Sequence, residues 1–348
     1  MKLVVAENYS KFLVLISIGF SIFIFKWLPK ELFVSSFEAK VYNSGFYLLS
    51  LNPISANTPW DQWFTPFFLW ATGLVSSPED IVSILDFVNI VSGVSIVCFV
   101  TYRYHWFLGL GLGVLLASSP LFLIFKTWIG FSDPITFLLI SFYIILFLSP
   151  IVYHWKWILL TLILFLGFSN HCFQFIVLVS IVGMVLFLED KTRWKLLLYP
   201  SLTSALLYSI FLLFLFSTTD VVWNQTRVSV FSNMFGEEFI RMNISEPILG
   251  TIGLFHGLWP FVLFLMYKRP VSVFVLLFCY LISMLTYDTN RVFAILSTPV
   301  FVLYSLEFWK HSKFFEKYLF IGLMFLSPVM ITLYPLFYKW DGRIIYLQ

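Results

Sequence analysis

From Phe12 to Phe337 the chain is a succession of long apolar runs, and these leave it few ways to fold. A helix needs about 20 apolar residues to cross a hydrocarbon core about 30 Å thick. Inside lipid every backbone N–H and C=O must find a partner within the protein, so only helices and closed barrels cross. Barrel strands alternate apolar and polar residues. The runs here are continuous, which excludes a barrel. Charged residues make up 11% of the chain, against about 25% in soluble domains. The expected fold class is all-α: a polytopic transmembrane helical bundle, a single integral membrane domain over residues 1–348.

At about 20 residues per span there is room for about eleven. They are read at 12–28, 84–101, 107–125, 134–150, 153–168, 172–188, 196–217, 250–267, 271–286, 291–307 and 318–337. The first follows Lys2 and Lys11 and no small-residue cleavage motif comes after it, so it reads as a signal anchor. Orientation follows from lysines and arginines in short loops, which stay in the cytoplasm. With the N-terminus inside, the compact basic loops Glu189–Lys195, Lys268–Arg269 and Lys310–Lys317 all fall on the cytoplasmic side. The expected location is the plasma (inner) membrane, with the working face turned away from the cytoplasm. Two long outer loops result, 29–83 and 218–249. Within the first, Trp63–Val75 is apolar but too short to span and carries Pro66 and Gly73, so it reads as interfacial or re-entrant.

Cys98, Cys172 and Cys279 are scattered in apolar stretches without metal-ligand spacing, and read as buried thiols. The net charge of +3 gives no sign of nucleic acid as a partner. Span interiors almost free of charge disfavour an ion-coupled transporter.

What remains is a collection of polar residues at the outer ends of the spans. Asp133 closes the hinge Trp128–Pro134; before Pro134 it reads as a helix N-cap, a role compatible with that of a general base. Glu38 is either a solvated acid beside Lys40 or a second base. Asp61 lies in Trp-Asp-Gln-Trp, where the tryptophans suit an interfacial belt or a sugar-stacking platform. Asn170-His171 reads as a tight turn between two spans, with His171 able to act as acid, base or ligand. His256 sits near the outer surface of its span, where interhelical hydrogen bonding is the plain reading. In Tyr287-Asp288-Thr289-Asn290-Arg291, Arg291 either pairs locally with Asp288 or grips a phosphate with two parallel hydrogen bonds.

An odd number of spans, an inside N-terminus, and two outer loops each holding an acid resemble the GT-C superfamily. These membrane glycosyltransferases use polyprenyl-phosphate-linked sugars. The likeness rests on Phe37-Glu38-Ala39-Lys40-Val41-Tyr42 and Ser132-Asp133-Pro134-Ile135. The first loop lacks the Asp-Glu pair of several branches. The resemblance implies Glu38 and Asp133 as catalytic residues. It also implies Arg291 as the group that stabilises the phosphate charge. Substrate binding is expected of Asp61, Asn170, His171, His256, Asp288 and Arg291 because they are polar residues of different outer loops that could converge over one cavity. The donor would be a polyprenyl-phosphate-linked sugar drawn from the lipid bilayer, the acceptor a glycan, lipid or protein. No metal ligands are assigned, although outer carboxylates are compatible with Mg or Mn. Two alternatives stay open: a polysaccharide polymerase or ligase acting on lipid-linked glycans, and a lipid or sugar transporter (flippase).

Overall fold

The computed structural model describes residues 13–20, 22, 24, 47–54, 60–127, 132–189, 191–219, 253–284, 286, 289–333, 336–338 and 344–346. Glu38 and Asp288, and almost all of 218–249, lie outside the described residues. We number the main helices α1 (Phe64–Thr72), α2 (Pro78–Arg103), α3 (Trp106–Ala117), α4 (Pro120–Thr127), α5 (Asp133–Leu148), α6 (Tyr153–Glu189), α7 (Trp194–Thr218), α8 (Trp259–Lys268), α9 (Val271–Ser283), α10 (Thr289–His311) and α11 (Phe314–Leu333). A short antiparallel pair, β1 (Leu336–Tyr338) and β2 (Ile344–Tyr346), follows.

Among the described residues, α2, α6, α7, α10 and α11 are long and apolar enough to cross a membrane; α3, α5 and α9 are shorter apolar helices. This is the architecture of a helical membrane protein. Helix α1 has 9 residues and rises about 13 Å, well short of a bilayer core. The run read as one span at 107–125 is two helices, α3 and α4. Ser119 accounts for the break: its Oγ donates to Leu116 O at 2.6 Å and accepts from Phe122 N at 3.4 Å. That caps α4, and Pro120 occupies the first helical position, where a missing N–H costs nothing.

The chain forms two compact units. The first comprises Met1–Val34, Ile90–Thr127 and Asn243–Gln348. Its core helix is α10, 89% of whose most apolar stretch is buried. Small residues let the backbones approach closely, the usual device where lipid offers no hydrophobic drive between helices. A Cβ at Gly109 would lie 2.0 Å from Thr101 Oγ1, and one at Gly111 2.9 Å from Met324 Sδ. Polar contacts gather at helix ends: Lys268 pairs with Glu316 at 2.7 Å, Lys310 pairs with Glu307, and the Arg269 guanidinium donates to Glu307 O.

The second unit comprises Ser35–Asn89 and Trp128–Met242. Its frame is α6, whose backbone leaves the helical region at His171 (φ −159°, ψ 77°). Chain length shows that this is a reversal. A straight helix from Tyr153 to Glu189 would be about 54 Å long, and the few residues from there to Trp194 reach at most about 18 Å. Yet Tyr199, early in α7, shares a groove with Tyr153 at the start of α6. The two halves of α6 therefore fold back on each other, and the Phe175 ring rests on Gly167. The expected pair of spans, 153–168 and 172–188, corresponds to the two arms. Helix α7 runs alongside the first arm, with Ser204 Oγ donating to Thr161 O at 2.6 Å.

Helix α5 runs antiparallel to the first arm. Near its C-terminal end the Lys156 ammonium donates to Phe147 O and Ser149 O, although Lys156 is only 8% exposed. A cation there satisfies carbonyls that the helix leaves open and meets the negative end of its dipole.

In the first unit, His105 caps α3 by accepting from Phe107 N at its Nδ1, at 3.2 Å. Burial, and then the Lys317 ammonium, hold its imidazole below the ordinary value of 6.5. The unfolded chain thus binds the proton more readily, and this contribution to stability is lost as pH falls through 6.5 toward the folded value. In detergent, the wild type should lose melting temperature relative to His105→Asn between pH 7.5 and 5. Parallel curves would show that the cap does not titrate.

Candidate functional site

The loop end of the α6 hairpin gathers the polar residues of the second unit. Asn170, fully buried, is the hub. Its Nδ2 donates to Ser132 O at 3.0 Å and to Thr136 Oγ1 at 2.9 Å, while its Oδ1 accepts from Thr65 Oγ1. One side chain thereby ties α1, the first turn of α5 and the bend of α6. The need is physical: a chain that reverses within apolar surroundings leaves peptide groups outside the helical ladder, and polar side chains must satisfy the region.

Asp133 is the first residue of α5, and Ser132 precedes it as N-cap without a side-chain cap bond. The structure therefore places Asp133 one position inside the helix, with Pro134 next, in place of the N-cap position expected. Its carboxylate belongs to the first turn, where the positive end of the helix dipole favours an anion. Asp133 is 2% exposed. Through Ser132 it sits directly beside the Asn170 hub.

Asp61 approaches the bend from the other flank. It lies in the short 3-10 turn Trp60–Gln62, which packs on α6, and is 1% exposed. It is close enough to Cys172 and Tyr208 to act on both electrostatically. Tyr208 in turn donates to Trp60 O at 3.2 Å. The tryptophans do not form a sugar-stacking surface. Trp60 is buried edge-on to Phe173 and Phe216, and Trp63 stacks on Phe211 with ring centroids 4.6 Å apart. A cavity of about 190 Å³, almost wholly apolar, opens beside this turn, lined by Trp60, Trp63, Phe67, Phe211 and Phe214 among others.

The structure thus brings together Asp61, Asp133, Asn170 and His171, the last half-buried at the bend. Thr65, Ser132, Thr136, Cys172 and Tyr208 join them, and none of these was singled out as a site residue from sequence. Cys172 reads as an apolar thiol until Tyr208 and Asp61 are placed beside it, and that placement carries no local sequence signal. His256 and Arg291 belong to the first unit. His256 opens the 3-10 turn His256–Leu258 with φ +44°, a left-handed conformation costing a non-glycine residue about 1–2 kcal/mol. A neighbouring constraint explains it: a Cβ on Gly257 would lie 2.5 Å from Ser327 O, so this turn is pressed onto the α11 backbone. Arg291, half-buried, stands in the first turn of α10.

Among the described residues no group of three or more His, Cys, Asp or Glu side chains gathers as a metal would require. Comparison of the chain with models of known protein families and with curated proteins finds no match in either.

The hub makes two predictions. Asn170→Ala removes the acceptor for Thr65 Oγ1 and the donor to Ser132 O. Interhelical bonds in membranes average about 0.6 kcal/mol and a buried orphan costs about 1–3 kcal/mol; together they should destabilise the fold by about 1–3 kcal/mol in a denaturation series in mixed micelles. Gly167→Ala would put a Cβ 2.0 Å from the buried Phe175 ring. It should cost a similar amount by overpacking, and Phe175→Leu in the same chain should restore part of the loss.

Proposed function

We propose that the chain transfers a sugar from a polyprenyl-phosphate-linked donor to an acceptor hydroxyl on the non-cytoplasmic face of the plasma membrane. The observation that carries this reading is the polarity of the second unit. Two buried acids, Asp61 and Asp133, flank the bend at one end, while Lys156, Lys191 and Lys195 stand at the other. By the positive-inside rule the lysine end faces the cytoplasm, so the acids face outward. The eleven spans and inside N-terminus expected from the sequence give the same orientation.

The chemistry needs little more than such a site. Asp133 accepts the proton of the acceptor hydroxyl. The oxygen attacks the anomeric carbon, the bond from that carbon to the phosphate oxygen breaks, and polyprenyl phosphate leaves with the electron pair. Asn170 and the helix start hold Asp133 in place, and Asp61 is the second acid facing the sugar. The apolar cavity beside Trp60 and Trp63 gives an isoprenoid chain a way to reach the acids from the lipid. A donor already activated on a lipid needs no nucleotide-binding fold. Glu38 is kept as an alternative base on the strength of the family resemblance.

A transporter is the competing reading, because an acid as deeply buried as Asp61 also suits a proton relay. Proteoliposomes loaded with radiolabelled polyprenyl-phosphate sugars separate the two. Transfer predicts label leaving the lipid pool for an acceptor, a fall of about 10²–10⁴-fold in Asp133→Asn, and normal insertion of that variant. Full turnover in Asp133→Asn would remove that residue from the mechanism. Label that crosses the bilayer while staying on its lipid would establish a transporter.

A further inference from the structure

The opposite end of the second unit carries a site of a different kind. A groove of about 550 Å³ runs between the first turns of α6 and α7, lined by Tyr153, His154, Trp157, Ile158, Tyr199, Leu202 and Thr203. Helical spacing sorts these residues. On α6, His154, Trp157 and Ile158 stand at i, i+3 and i+4 and share one face. On α7, Lys195, Tyr199 and Leu202 stand at i, i+4 and i+7 and form one stripe. Along that stripe the chemistry changes in order, from cation to aromatic to aliphatic. The groove is open: Tyr153, Tyr199 and Leu202 are 47%, 43% and 58% exposed. Trp194 stands beside Tyr199 with Lys195 over its ring, 5.7 Å from the centroid. The sequence from Glu189 to Lys195, which joins α6 to the start of α7, sets Lys191, Arg193 and Lys195 against Glu189 and Asp190, a net positive charge.

That gradient matches one class of ligand. Tyrosine and tryptophan concentrate at the headgroup level of a bilayer, lysines there attract anionic lipid, and basic pockets between transmembrane helices bind lipid head groups. Lys156, close by in sequence, is taken up by the carbonyls of α5, so the charge offered to a ligand comes from Lys191 and Lys195. We propose that this groove holds one anionic glycerophospholipid of the leaflet at the lysine end. An acyl chain lies along Ile158 and Leu202. The glycerol esters rest at Tyr153, Trp157 and Tyr199. The phosphate faces His154, Lys191 and Lys195. The assignment is independent of the sugar-transfer reading, which concerns the other end of the unit.

Purified full-length chain in nanodiscs, carrying a photoactivatable phosphatidylglycerol or a phosphatidylcholine with the same acyl chains, tests it. The wild type should crosslink the phosphatidylglycerol at least tenfold more efficiently, with the label mapping to 153–158 and 199–203. Leu202→Trp fills the groove and should abolish labelling by both lipids. Leu213→Trp, on the same helix at a 72% exposed position, should leave labelling unchanged. Lys191→Gln with Lys195→Gln should lower phosphatidylglycerol labelling to the phosphatidylcholine level while sparing the fold. Equal labelling by the two lipids in the wild type overturns the proposal. So does labelling that survives both Leu202→Trp and the double lysine replacement.

Discussion

The reversal of α6 at His171 is tied to its neighbours through the Asn170 side chain. A membrane helix normally satisfies its own backbone, and a bend gives that up locally. Asn170 makes three bonds to two neighbouring segments, to Thr65 on α1 and to Ser132 and Thr136 at the start of α5. Such bonds are individually weak, at about 0.6 kcal/mol and rarely above about 1.7 kcal/mol. Their value here is geometric. They fix which turn of α5 meets the bend, and so they fix Asp133. An aliphatic side chain at 170 could fill the same volume but could not specify that register.

The same helix reconciles the two ends of the second unit. Helix α5 begins with Asp133 in its first turn and ends on Phe147 and Ser149 carbonyls that accept from Lys156. Both ionisable groups are almost fully buried, which in an apolar setting is costly without compensation. The helix dipole places its positive end at the acid and its negative end at the lysine, each contact worth up to about 2 kcal/mol in partly buried geometry. A single short helix thereby stabilises opposite charges at opposite ends. The separation of acids from lysines in this unit is built into its packing, and does not require a direct ion pair across the bilayer.

Sequence reading reached those features that depend on local chemistry. Asn170-His171 is a polar pair between two apolar runs, and it marks the bend; Asp133-Pro134 marks a helix start to within one residue. Trp63–Val75 was too short and too rich in breakers to span, and α1 is indeed short. The break at Ser119, inside the run read as one span at 107–125, falls at Ser before Pro, a cap-and-start pair within an otherwise apolar stretch. The burial of Lys156 has no local signal, because its acceptors, Phe147 O and Ser149 O, come from the end of a different helix. Trp60 and Tyr208 were beyond reach altogether, because their meeting depends on how α7 lies along the first arm of α6.

Burial also bears on how Asp133 would work as a base. A carboxylate held in the first turn of a helix, beside a hub that uses both ends of the Asn170 amide, has little freedom to swing. It can take a proton only from a hydroxyl delivered to it. Activation of a lipid-linked donor suits that restriction, because diffusion in the plane of the membrane brings the donor's phosphate to a constant depth. The acceptor must then come from the aqueous side. The whole first turn of α5 is buried, with Asp133 2% and Thr136 0% exposed, so on that reading the acceptor would have to be brought to the carboxylate. The apolar cavity lined by Trp60 and Trp63 lies in the same unit as Asp61, which shares the 3-10 turn Trp60–Gln62 with one of its lining residues.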